Sequence, residues 1–152
     1  MSDETPDPNL RGIDLTRIGE TRYKATNGRG GVLPIGAGGD PDFTPVELLL
    51  AAIAGCSAID VDLITGKRAA AVSFDVHAEG TKVRDEHGNH LTGLHVTFDV
   101  RFPEGDAGDK ARGVLPGAIE KSRDRLCTVG RTVQVGAPIT YSEGEVTPPS
   151  PS

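Results

Sequence analysis

Residues 48–54, Leu-Leu-Leu-Ala-Ala-Ile-Ala, are apolar at every position around a helix, and they sit in a segment with helix signals at both ends. Thr44, Pro45 and Glu47 supply an N-cap, a proline at the first helical position and a carboxylate three residues past the cap, the pattern of a capping box. Gly66, followed by Lys67 and Arg68, marks the other end, so the spacing predicts a helix over about 44–66. A helix that is apolar all round must be covered on several sides, in a central position or in a seam between two copies. The chain has 152 residues, of which 36% are hydrophobic and 4% aromatic, with no Trp. Its core must therefore be built from Ala, Val, Leu and Ile, and an oligomer interface is the expected way of completing it.

Around that helix the pattern changes to period two. Ile13/Leu15, Tyr23/Ala25 and Val32, bounded by glycines and charges, read as hairpin strands. Val72/Phe74/Val76/Ala78 and Leu94/Val96/Phe98/Val100/Phe102 alternate with polar residues, which predicts one buried and one wet face for each strand. The segment 85–90, Asp-Glu-His-Gly-Asn-His, is the expected hairpin turn between them. Residues 106–125 read as a helix weakened or broken near Gly113 and Pro116. Val133/Val135/Ala137/Ile139/Tyr141 alternates again and predicts closing strand structure. The resulting order, strands, long helix, strands, helix, strands, is that of an α+β fold with mostly antiparallel sheet. Residues 1–10 and 143–152 are rich in Pro, Ser and acids and are expected to be disordered, flanking a single domain over 11–142.

Charge removes several function classes. A formal net charge of -6 offers no basic surface for neutralising phosphates, so no nucleic acid partner is expected. No stretch approaches the ~20 apolar residues of a membrane span, and the acidic first residues lack the order of a secretion signal. The expected location is cytoplasmic, without membrane association. Thiols are kept reduced there, which argues against a permanent disulfide between Cys56 and Cys127. The two remain open to reading as buried core thiols or as a redox pair.

Cys56 lies about 18 Å into the predicted helix at 1.5 Å per residue, too far for that helix's own dipole to acidify it. A reactive thiolate there needs a cation from elsewhere. Arg29, in Asn27-Gly28-Arg29-Gly30-Gly31, is the candidate, because a glycine-rich loop can project one side chain into a site. Glu47 is explained as fully by the capping box as by chemistry. His77, His87, His90 and His95 show no metal-ligand spacing with cysteines or carboxylates, and neither a metal nor an organic cofactor is expected.

The segment Pro45-Val-Glu-Leu-Leu-Leu-Ala-Ala-Ile-Ala-Gly-Cys56-Ser-Ala-Ile-Asp60, with Ser122-Arg-Asp-Arg-Leu-Cys127-Thr-Val-Gly-Arg-Thr132 further on, resembles the two signatures of the OsmC/Ohr family of organic hydroperoxide reductases. The resemblance spans roughly residues 20–142. It implies antiparallel sheets wrapped around a long central cysteine helix in an intertwined homodimer. It further implies that Cys56 is the peroxidatic cysteine, Cys127 the resolving one, Arg29 the arginine that pairs with the thiolate, and Glu47 a carboxylate that orients Arg29. The family carboxylate typically stands where this chain has Val46, one position before Glu47. Thr128-Val129 replaces the Pro-aromatic pair of the hydroperoxide-specialised branch, so the chain looks closer to the broader OsmC-like branch.

The implied activity is thiol-dependent reduction of organic hydroperoxides through a Cys56 sulfenic acid and a Cys56–Cys127 disulfide, with an external dithiol as reductant. The competing expectation is a non-catalytic homodimer on the same scaffold that binds an apolar or electrophilic small ligand.

Overall fold

The computed structural model describes residues 5–144. Most of the two terminal segments expected to be disordered lies outside those residues. The chain divides into two compact units, Met1–Ala54 with His77–Thr97, and Gly55–Val76 with Phe98–Ser152.

In the first unit, β1 (Asp14–Gly19), β2 (Arg22–Thr26) and β3 (Val32–Ile35) form a three-stranded antiparallel sheet in the order β1-β2-β3. These are the strands that the short alternating runs predict. Leu15 stands opposite Ala25, and Tyr23 opposite Ile35. Pro34 is tolerated because β3 is an edge strand, where a missing N–H breaks no ladder. The β2–β3 turn is built by Asn27, whose Oδ1 accepts the backbone N–H groups of Arg29 at 3.0 Å and Gly31 at 2.9 Å. Arg22 ties down the glycine-rich segment that follows, through ion pairs to Asp40 at 3.3 Å and to Asp42.

The helix α1 (Pro45–Gly66) opens as expected. Thr44 Oγ1 accepts the Glu47 N–H at 3.2 Å, while Glu47 Oε1 accepts the Thr44 N–H at 2.9 Å. Within one chain it buries Ile53, Val61 and Thr65, whereas Ile59 and Leu63 stay 63% and 66% exposed. Burial on several faces is thus not reached by one copy alone. The helix is also long and apolar enough to cross a membrane by length and composition, which corrects the expectation that no stretch approaches a span. Gly55, Cys56, Ser57 and the acids Asp60 and Asp62 interrupt the apolar run without lowering its average below that of a span.

Strands β4 (Ser73–Asp85) and β5 (Gly88–Arg101) form a two-stranded hairpin. Its turn is tighter than the expected 85–90 segment. Asp85 Oδ1 accepts the His87 N–H at 2.8 Å, and Gly88 adopts the left-handed φ of 89° that closes it. Phe74, Val76, Val96, Phe98 and Val100 are half-buried while Asp75, His77, His95, Thr97 and Asp99 are exposed, as period two requires. Phe74 and Phe98 meet edge to face at 6.2 Å.

The second unit packs the later half of α1 with α2 (Asp106–Lys121), a π-helical turn (Ser122–Leu126) and α3 (Thr128–Val135). The buried positions of α2 and the π-helical turn are small: Gly108, Ala111, Ala118 and Ser122. Two expectations need correction here. The helix over 106–125 is not broken at Gly113 or Pro116; α2 runs through both. Arg112, Gly113, Pro116 and Gly117 are exposed, so water can take the carbonyl that the proline leaves without a donor. The second correction concerns 133–141. Instead of strands, Thr128–Val135 is a helix that ends at Gly136 with φ 69°, and residues 137–144 have no regular structure. The Gly136 N–H reaches the Thr132 carbonyl at 3.1 Å, the left-handed glycine stop of a helix.

Candidate functional site

Cys56, on α1, is half-buried, and Cys127 lies at the junction of the π-helical turn and α3, 1% exposed; both are free thiols. The chain between Ser122 and Cys127 makes one wide turn, with the Cys127 N–H donating to the Ser122 carbonyl at 3.0 Å. At its end Cys127 leaves helical geometry and becomes the N-cap of α3, its Sγ accepting the Gly130 N–H at 3.2 Å. The packing of this segment against α1 includes a hydrogen bond from Ser122 Oγ to Asp60 Oδ2 at 2.9 Å.

Cys127 is a neighbour of Cys56 and bears on its protonation. Burial is the largest influence on Cys56 and pushes its thiol above the usual range. Hydrogen bonding and charge repulsion from Cys127 push in the same direction. Against them, the backbone N–H groups of Val129 and Thr128 favour the thiolate. All of these influences arise within the second unit. The amides that favour the Cys56 thiolate belong to the first turn of α3 and not to its own helix. Residue types do not single out the Thr128 and Val129 amides, because every residue but proline carries one.

Arg29 and Glu47 are in the first unit. Arg29 is exposed in the Asn27–Gly31 turn. Glu47 is exposed and held by its capping bond, and the Thr44 N–H keeps its carboxyl below the usual range. Among the described residues no ion pair joins Arg29 to Glu47 or to any other carboxylate. Beside Cys127, Arg123 clasps Asp124 at 2.7 Å, and Arg131 and Arg125 add to the pull that lowers the Asp124 carboxyl. His87 and His90 face each other across the hairpin turn, their ring centres 6.4 Å apart, and among the described residues no three potential ligands gather around a metal position.

An α+β chain whose long apolar helix presents one cysteine to a second cysteine at the head of another helix defines a dithiol protein. Residues 37–142 match the family described as OsmC-like protein, and the chain belongs to it. No curated protein matches the chain. Among solved structures, one from a structural genomics effort is 26% identical, with 86% of this chain and 95% of that chain covered at a TM-score of 0.65. An OsmC-like protein of unknown function from Vibrio cholerae is 14% identical, with 82% and 94% covered and a TM-score of 0.69. The organic hydroperoxide resistance protein OhrB of Bacillus subtilis is 17% identical, with 82% and 92% covered and a TM-score of 0.50. The last two likenesses establish the fold.

Proposed function

We propose that the chain is a thiol-dependent peroxidase that reduces organic hydroperoxides to alcohols, acting as a cytoplasmic homodimer. The observation that carries this reading is a pair of free thiols, Cys56 on α1 and Cys127 at the N-cap of α3, with the first amides of α3 favouring a Cys56 thiolate. Membership of a family that includes a structure named for organic hydroperoxide resistance supports the substrate class. The apolar residues Ile59 and Leu63, left exposed on α1, support burial against a second copy.

In this reading the Cys56 thiolate attacks the terminal oxygen of R–O–O–H. An S–O bond forms and the O–O bond breaks; the electron pair leaves on the alkoxide, which takes up a proton to become the alcohol. The oxidised sulfur is then a sulfenic acid. Cys127, as thiolate, attacks that sulfur, an S–S bond forms, and the departing hydroxide is protonated to water. An external dithiol restores both thiols by exchange and is itself oxidised to a disulfide. Amide N–H groups suit this chemistry, because they favour each anion that appears at sulfur. Arg29 as the partner of the thiolate and Glu47 as its orienting carboxylate are roles that rest on resemblance.

A second reading, a non-catalytic homodimer that binds an apolar or electrophilic ligand, draws on two observations. The thiol of Cys56 is pushed up overall, and Glu47 is committed to the capping box. Thiol titration before and after one equivalent of an alkyl hydroperoxide separates the two. Rapid loss of both thiols per chain is expected of the peroxidase; unchanged thiols would leave the binding module.

A further inference from the structure

We propose that Asp60 and Ser122 are positioning residues for the Cys56–Cys127 couple, their hydrogen bond setting the reach between the two sulfurs. The inference rests on the disulfide chemistry proposed above, but it can be tested without peroxide.

Asp60 follows Cys56 by one helical turn, so both side chains lie on the same face of α1. Ser122 begins the π-helical turn that ends at Cys127. It is engaged at both ends: its hydroxyl donates to Asp60 Oδ2 at 2.9 Å, and its carbonyl accepts the Cys127 N–H at 3.0 Å. One residue thus ties the backbone of the second cysteine to the helix that carries the first. Each element spends a single turn between its cysteine and its clamp residue, α-helical on one side and π-helical on the other. The wider turn brings Cys127 round beside Cys56 while Ser122 stays on Asp60.

The chemistry needs such a restraint. A disulfide requires Cβ atoms about 3.5–4.5 Å apart, whereas a slip of one residue along a helix moves a side chain by ~1.5 Å and swings it by ~100°. A π turn has poorer hydrogen-bond geometry than the α-helix it replaces, so a tertiary bond at its first residue is an effective place to hold it. Ser122 is 1% exposed, and a hydroxyl so buried is costly without an acceptor. A carboxylate acceptor makes the bond stronger than a neutral one. The clamp acts on closure of the disulfide; attack of Cys56 on an oxidant does not require it.

The test is the redox equilibrium of the full chain in glutathione buffers, where protein dithiol plus glutathione disulfide gives protein disulfide plus two glutathione thiols. Ser122→Ala and Asp60→Ala are each expected to disfavour the protein disulfide about tenfold, which is ~30 mV for a two-electron couple. The double variant is expected to go no further, because either loss opens the same bond. Asp60→Asn and Ser122→Thr, which keep an acceptor and a donor, are expected to recover part of the shift. The rate at which cumene hydroperoxide consumes the Cys56 thiol is expected to stay within about twofold of the parent. Parental equilibria in both alanine variants, additive effects in the double variant, or Asp60→Asn as impaired as Asp60→Ala would overturn the proposal. Should Ser122→Ala fail to fold, the half-buried Asp60 positions still decide the matter. A parent that forms the disulfide in glutathione buffer but ignores peroxide refutes the peroxidase and, with the shifts above, sustains the clamp. A parent that forms no disulfide in the buffer overturns the clamp.

Discussion

The Cys127 sulfur accepts the Gly130 N–H at 3.2 Å, so the thiol proposed to close the disulfide is at the same time the N-cap of α3.

The cap can be tested by substitution. Serine is among the preferred N-cap residues and alanine is not, a difference of about 1 kcal/mol. Cys127→Ser is therefore expected to melt about 2–4 °C above Cys127→Ala. Equal melting temperatures would show that the sulfur contributes packing only.

The second prediction concerns the protonation of Cys56. Its thiol is pushed up by burial and by Cys127, and held back by the Val129 and Thr128 amides. Removing the second thiol in Cys127→Ala takes away two upward influences, so the pH profile of Cys56 alkylation is expected to move to lower pH. A profile that does not move would show that the two sulfurs do not interact, and one that moves upward would show that Cys127 favours the Cys56 thiolate. The same raised value has a stability consequence. Below the ordinary thiol value both folded and unfolded states keep the proton; above it the unfolded chain loses the proton first, so stability falls as pH rises through that window.

Arg29 and Glu47 are tested together. Arg29→Ala is expected to slow peroxide consumption and to push the Cys56 thiol further up, with partial recovery at high pH. Arg29→Lys is expected to restore the charge without the forked geometry, and so part of the rate. Glu47→Gln is expected to cost less, since glutamine can still close a capping box. An alkylation profile unchanged in Arg29→Ala would show that Arg29 does not tune Cys56, and the cations to test next are Arg125 and Arg131.

A fourth prediction tests the packing around α2. A Cβ on Gly108 would run into the Pro103 carbonyl, well inside any allowed separation, so the backbone must move. Gly108→Ala is expected to cost about 1–3 kcal/mol, the usual range for overpacking. Gly113 and Gly117, in the same helix, have open space where a Cβ would go. Alanine at either is expected to stabilise by about 0.5–1 kcal/mol, because it removes backbone freedom from the unfolded chain. Thermal denaturation of the three variants gives the order.

Assembly is the fifth. A dimer that hides Ile59 and Leu63 is expected to sediment as one species at micromolar concentration, with a melting temperature that rises with protein concentration. A stable folded monomer under those conditions would refute it.

Much of this molecule is written in short-range pattern. The capping box at Thr44 and Glu47 depends on groups three residues apart, and the strands of the β4–β5 hairpin show their half-buried faces through residues two apart. Such signals need no knowledge of the rest of the chain. The alternation of Val133, Val135, Ala137, Ile139 and Tyr141 is equally short-range and misled, because the first members fall within two turns of helix and Gly136 stops it. Its start was hidden too, since the cap is a sulfur rather than one of the usual oxygen-bearing side chains.

The surroundings of Cys56 are where sequence runs out. Residue types and motif likeness single out Cys56 and Cys127, and they name Arg29 as the cation that a mid-helix thiol needs. The amide groups of Thr128 and Val129 cannot be read that way, because every residue but proline carries one and only the path of the backbone aims it. Whether a helix begins beside a given sulfur depends on where distant turns of chain are packed. Only the tertiary structure decides that, here through a π turn held at Ser122 against Asp60.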